Sequence, residues 1–329
     1  MTASRTTSPS PQPSPPIPGE REKTPSPQSS PPILGEREKT PSPQSSTPIP
    51  GEREKTPSPA DPLPPDAGDL SEDILGHRVT TVSLDACLGQ ILGWIEGATL
   101  PAAENTTERT TKAKYFACLN PHSIETARRD IAFTAALHDA DLAVPDGVGI
   151  VIASRILGGR IRQRITGSDI FSGLNGRLNE RGGRSVFFLG STPETLAAIV
   201  ARMQQDYPKI RIAGVYSPPF REVFSADENA AMVTAVNSAK PDVLWVGMTA
   251  PKQEKWVRQH RDQLDVRFIG PVGAVFDFFI GRVQRSHPLF QRMGLEWLPR
   301  LLQEPRRLWR RNFVSSPSFL VRVIRARLT

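Results

Sequence analysis

Two cysteines among 329 residues, Cys87 and Cys118, are too few and too far apart for a zinc cluster or a disulfide framework, and no CxxC pair accompanies them. They read as reduced, partly buried thiols of a cytosolic protein. Long apolar runs are missing as well. A membrane-spanning helix needs roughly 18 to 20 apolar residues, whereas the most apolar stretch, 268–280, is broken by Gly270, Pro271, Gly273 and Asp277. Met1 leads into Thr, Ser and Pro rather than an apolar signal core, so the expectation is a chain with neither a spanning segment nor a secretory leader. Nucleotide signatures are also scarce. There is no Walker A pattern, and Gly147-Val148-Gly149 does not extend to GxGxxG, which weakens ATPase and dinucleotide readings. No acidic pair of the DxD type closes a strand, which argues against a metal-held sugar nucleotide.

What the chain does have is uneven. Most of its 33 prolines lie in the first 65 residues. There Gly-Glu-Arg-Glu-Lys-Thr recurs at Gly19, Gly35 and Gly51, separated by Pro/Ser tracts. Such units hold almost no apolar side chains to offset the entropy of ordering a backbone. Residues 1–68 are therefore expected to be disordered, with local polyproline II character. They could serve as a spacer or proline-motif ligand, or be neutral.

From Asp69 onward short apolar runs alternate with amphipathic stretches. The runs are 115–119, 142–145, 185–189, 210–215, 242–247 and 267–272, and the helical patterns include 123–138, 192–207, 226–238 and 252–263. This alternation predicts an α/β fold over 69–280, a Rossmann-like layered parallel sheet with flanking helices. Thr192, Pro193 and Glu194 mark one helix start as N-cap, first position and first turn. Ligands on such sheets bind beyond the carboxyl ends of the strands, so chemistry is sought there.

Four polar loops fall at those places. In Leu119-Asn120-Pro121-His122, Asn120 offers two donors and an acceptor to a sugar or uracil edge, or caps the next helix. His122 reads mainly as a helix-start surface residue. In Pro145-Asp146-Gly147-Val148-Gly149, Asp146 is either a general base with backbone room beside Gly147, or a helix cap. Arg164, ahead of Thr166-Gly167-Ser168-Asp169, supplies a fixed positive charge for a diphosphate or is a solvated surface residue. After Gly247, the run Pro251-Lys252-Gln253-Glu254 opens a helix whose free N–H groups favour anions, unless it is an ordinary capped surface helix.

Residues 281–329 hold eleven arginines, no lysine, and only Glu296 and Glu304 as acids, interleaved with Leu, Trp and Phe. This describes an Arg-rich helical appendage lying on an anionic bilayer. Nucleic acid and simple packing on the main domain are the alternatives.

Taken in order, these motifs resemble the WecG/TagA/CpsF glycosyltransferases, glycosyltransferase family 26. The resemblance runs over about residues 75–315 and adds Phe188-Leu189-Gly190, Tyr207-Pro208, Gly273 to Asp277, Gly294 to Trp297, Arg300 and Glu304-Pro305. It implies an inverting, metal-independent transfer of an N-acetylmannosamine-type hexose from a UDP-sugar to a polyprenyl-diphosphate-linked glycan, with no cofactor, at the inner face of the bacterial cytoplasmic membrane. It makes Asp146 the general base and Asn120, Arg164 and Gln253 the polar substrate residues. Gly147, Asp169, Gly247, Lys252 and Glu254 complete the candidate substrate set. Arg285, Arg300, Arg307, Arg310 and Arg311 become candidate contacts to acceptor and membrane. Two features depart from the family pattern: Cys118 stands where many members have Thr, and Met248-Thr249-Ala250 replaces a Gly-rich loop. Self-association is left open and nucleic acid is not an expected partner. The rival readings are a non-catalytic polyanion-binding α/β protein and a nucleotidyltransferase-like enzyme.

Overall fold

The computed structural model describes residues 70–97, 112–282 and 310–328. The repeats of 1–68 and the candidate residues Arg285, Arg300 and Arg307 lie outside them.

The chain begins its described course with an antiparallel hairpin, β1 (Ser71–Ile74) and β2 (His77–Thr80), turning through Leu75 and Gly76 with φ of 55° and 88°. Two consecutive positive φ angles suit the right-handed twist of a two-residue hairpin. Helix α1 (Leu84–Glu96) follows, capped by the Ser83 side chain. Then comes the alternation: β3 (Lys114–Leu119), α2 (Pro121–Ala127), α3 (Ile131–His138), β4 (Leu142–Pro145), α4 (Val148–Leu157), α5 (Gly167–Arg181), β5 (Ser185–Gly190), α6 (Pro193–Asp206), β6 (Arg211–Tyr216), α7 (Ala226–Ala239), β7 (Val243–Gly247), α8 (Lys252–His260), β8 (Phe268–Pro271) and α9 (Val275–Phe279).

The six strands β3 to β8 form one parallel sheet in the order β4-β3-β8-β7-β5-β6. Side chains alternate across it. Phe116, Val186, Phe188, Val243, Trp245 and Phe268 enter one core with α1, α5, α6 and α9. Their neighbours Tyr115, Phe187, Leu189, Leu244, Val246 and Ile269 face the opposite layer with α7 and α8. Ala117 and Leu119 join α2, α3 and α4 on that second side. A period of two with both faces covered is what turns the inner strands into continuous apolar runs. The edge strand β6, covered least, is only half-buried.

The strand positions agree with the sequence pattern to within a residue or two, and Thr192 caps α6 as expected. One helix differs. The single pattern at 123–138 is two helices, because Arg128–Asp130 turn the chain and Asp130 caps α3 through its carboxylate on the Phe133 N–H at 2.9 Å.

The end of the chain folds back onto the body. A π-helical turn at Arg310–Ser315 leads into α10 (Ser316–Leu328), which packs on α2 and α4. Phe319 and Val323 are wholly buried among Phe133, Leu137 and Ile150, and Arg322 donates to Glu125 at 2.9 Å. The described end of the 281–329 segment, residues 310–328, thus packs on α2 and α4. Its outer face stays exposed, with Val321, Ile324, Leu328, Arg325 and Arg327.

Candidate active site

One cleft of about 1180 Å³ opens at the carboxyl ends of the strands. All six strands of the parallel sheet send residues to it: Asn120 after β3, Asp146 after β4, Ser191 after β5, Ser217 after β6, Thr249 after β7 and Gly273 after β8. That volume lies just above the roughly 300–1,000 Å³ of small-molecule sites. Cys118, Asn120, Asp146, Gly147, Arg164, Asp169, Gly247, Lys252, Gln253 and Glu254 all border it. Every candidate substrate residue named from the sequence therefore meets its fellows at one place.

Asp146 is aimed by its neighbours. Its N–H donates to the Leu119 carbonyl at 2.7 Å, which carries the β3–β4 ladder one residue past the strand. Gly147 follows with φ of 100°, a left-handed conformation suited to glycine, and caps α4 without any side chain. Asp146 is therefore not the cap that the Asp-Gly pair allowed. Instead its carboxylate accepts from Asn120 Nδ2 at 3.2 Å.

Asn120 holds both of its alternatives at once. Its Oδ1 accepts the Ser123 N–H at 2.9 Å while Ser123 Oγ accepts the Asn120 N–H at 2.8 Å, a reciprocal capping box. With the oxygen committed to the helix, the amide nitrogen must face Asp146. Arg164 is brought close through Ile165, whose N–H donates to the Pro145 carbonyl at 2.9 Å.

Other candidates carry structural duties. Asp169 closes the capping box of α5, accepting from Thr166 N–H at 2.9 Å and Thr166 Oγ1 at 2.8 Å. Gly247 is needed for packing as much as for a ligand: a Cβ there would sit 2.1 Å from the Phe276 ring. Gly190, paired with it in register, has φ of 113° and would place a Cβ 2.5 Å from the Gly247 carbonyl. Lys252 donates from Nζ to the Arg221 carbonyl at 2.7 Å, with its ammonium 4.6 Å from the Phe224 ring centre. Burial lowers its pKa. His122 is engaged with Ser315 Oγ at 2.9 Å, which ties the C-terminal turn to the cleft wall. Of Arg310 and Arg311, the backbone lies in that turn.

Electrostatically the cleft is a focus of helix starts. The N-termini of α2, α4, α5, α6 and α8 all reach it, and neither α4 nor α8 has a side-chain cap. Free N–H groups and aligned peptide dipoles favour an anion such as a diphosphate there. Against them stand buried acids. Glu254 is only 5% exposed, and burial pushes its carboxyl up to about 7. Its Oε1 accepts from Gln253 Nε2 at 2.9 Å. Burial, then the charges of Asp146 and Glu254, raise the Cys118 thiol far above its ordinary range. Such a thiol is a poor nucleophile at neutral pH.

The sequence reading did not single out the loop Ser217-Pro218-Pro219-Phe220, nor Ser316 and Leu320, all of which border the cleft. The double proline after β6 was the available signal. Among the described residues no three His, Cys, Asp or Glu side chains gather as a metal-binding group. No helix among them is long and apolar enough to cross a membrane.

Comparison with known proteins adds a second line of support. The family model described as "Glycosyl transferase WecG/TagA/CpsF family" matches residues 72–329. A protein of Bacillus spizizenii is 33% identical over 225 residues, spanning 68% of this chain and 83% of the relative. One of Bacillus subtilis is 30% identical over 207 residues, 63% and 77% of the two chains. One of Staphylococcus aureus is 28% identical over 219 residues, 67% and 83%. Each bears the name N-acetylglucosaminyldiphosphoundecaprenol N-acetyl-beta-D-mannosaminyltransferase.

Proposed function

Because the chain belongs to the WecG/TagA/CpsF family of glycosyltransferases, we propose that its strand-end cleft moves an N-acetylmannosamine-type hexose from UDP to a polyprenyl-diphosphate-linked saccharide. It is a hexosyltransferase of cell-envelope polysaccharide synthesis, and membership sets aside the purely polyanion-binding alternative. The relatives' name supplies the acceptor class, a diphosphate-linked N-acetylglucosamine on a polyprenyl chain. The UDP-sugar donor, the inverting course and independence from metal are our reading.

The observation that carries it is the Asn120–Asp146 contact in a cleft ringed by helix N-termini. In the mechanism, an Asp146 carboxylate oxygen takes the proton from the acceptor hydroxyl as the hydroxyl oxygen bonds to the anomeric carbon. The bond from that carbon to the diphosphate breaks on the opposite face, and its electron pair leaves with UDP. One displacement inverts the centre. Asn120 holds the base in line, while Arg164 and the uncapped starts of α4 and α8 balance the charge gathering on the leaving group. Arg285, Arg300, Arg307, Arg310 and Arg311 would bind the acceptor's diphosphate and an anionic bilayer at the inner face of the cytoplasmic membrane.

Asp146→Asn tests the base. The variant keeps an acceptor oxygen for Asn120 and should melt like the wild type. UDP should stabilise both proteins against heat where ATP and NAD do not. Turnover should fall about 10²- to 10⁴-fold. Wild-type turnover would remove Asp146 from the role.

A further inference from the structure

Two buried oxygens in the cleft have no hydrogen-bond partner among the described residues: Glu254 Oε2 and Gln253 Oε1. Both side chains are 5% exposed, and both border the cleft. Leaving one such atom unpaired costs about 1–3 kcal/mol, more if it is charged. Two adjacent ones in a folded protein call for a ligand that brings donors.

The pair is held in place from several sides. Gln253 Nε2 donates to Glu254 Oε1 at 2.9 Å, which fixes the two side chains to each other. Gly273, across the cleft floor, has φ of 57°, and a Cβ there would come within 3.3 Å of Gln253 Oε1 and 3.1 Å of the Met248 carbonyl. Glycine at that position keeps a side chain from crowding the Gln253 oxygen.

The identity of the missing donor follows from chemistry and place. A diphosphate has no donor to give at neutral pH, so it cannot satisfy the Gln253 oxygen. Hydroxyl groups can donate, and so can the uracil N–H and the ribose. Location separates these. The sheet order β4-β3-β8-β7 sets Asp146, Asn120, Gly273 and the Gln253–Glu254 pair one after another along the strand ends, so the unpaired oxygens lie on the same side of the cleft as the proposed base. The anomeric carbon has to reach that side, which brings the transferred hexose with it and leaves the nucleoside further off.

Resting on the donor reading above, we propose that Glu254 and Gln253 form a paired acceptor for hydroxyl groups of the transferred hexose, with Glu254 as a specificity-determining residue. The pair reads the sugar and not the nucleotide. Around it the titratable and charged groups of the cleft are Cys118, His122, Asp146, Arg164, Asp169, Asp277, Arg282 and, on its own helix, Lys252 and Lys255.

The test is a split between two ligands measured by calorimetry without acceptor present, UDP and UDP-N-acetylmannosamine. Glu254→Ala should weaken the UDP-sugar about 10- to 100-fold and change UDP less than twofold. The wild type, examined with deoxy forms of the UDP-sugar, should lose a similar factor at one hydroxyl position at least, a measurement that needs no variant to fold. Equal losses for both ligands, or no loss for either, would overturn the assignment, as would a deoxy series that binds uniformly. A wild-type protein that binds neither ligand would instead overturn the donor reading, and this assignment with it.

Discussion

At the scale of single residues, polar side chains in this protein tend to hold two commitments. Asn120 caps a helix with its oxygen and steadies Asp146 with its nitrogen. Glu254 is the costliest case, because its carboxyl is buried and stands near 7 instead of 4.5. The folded state binds its proton more tightly than the unfolded chain does. The stability it contributes is therefore complete below pH 4.5 and drains away as pH rises to about 7. A rise of this size corresponds to about 3 kcal/mol. Glu254→Gln, which cannot ionise, should lack this loss: denaturant titrations should show its stability relative to the wild type improving by up to that amount between pH 4.5 and 7 and then staying level. A gap that does not change with pH would mean that the carboxyl is not buried as described. The sequence exposed these residues as strand-end polar groups but not their partners. Whether Asp146 capped a helix or faced a ligand turned on the backbone at Gly147, which no spacing reveals.

At the scale of elements, the parallel sheet was legible because its inner strands are buried on both faces and so read as unbroken apolar runs. The helix break at Arg128–Asp130 was not, since apolar positions continue through it while the Asp130 cap resets the axis. The 281–329 segment reads as an arginine-rich amphipathic appendage, and in α10, its described end, Phe319 and Val323 are wholly buried on one side while Arg325 and Arg327 stay exposed on the other. Arginine content describes one face and says little about its opposite. Phe319→Ala should cost about 3–5 kcal/mol in chemical denaturation, as expected for a large core truncation. A loss below 1 kcal/mol would mean that the helix is not part of the core in solution. The loop after β6, which closes a side of the cleft, carried only its paired prolines as a hint.

At the scale of the whole molecule, the proposal joins a cleft to a lipid surface. Arg325 and Arg327 lie on the exposed side of α10 with Val321, Ile324 and Leu328. Replacing these two arginines together with Arg310 and Arg311 by glutamine should lower sedimentation with phosphatidylglycerol vesicles. At about 1 kcal/mol per basic residue near such a surface, the loss is one to three orders of magnitude, shrinking as salt is added. UDP affinity should not change. Vesicle binding equal to the wild type would move the anchor elsewhere.

The ion pair and two core side chains that seat α10 set a limit on how firmly it can stay in place. Burying a phenylalanine and a valine yields roughly 3–6 kcal/mol, which between separate molecules corresponds to a dissociation constant from several millimolar down to tens of micromolar. Leu320 beside that core, and Ser318 and Arg322 on the Glu125 carboxylate, add to this hold. Deleting residues 310–328 would take α10 off the body of the protein. Phe313, Ser316 and Leu320 would go with it, and the enzyme would lose a wall of its own reaction chamber.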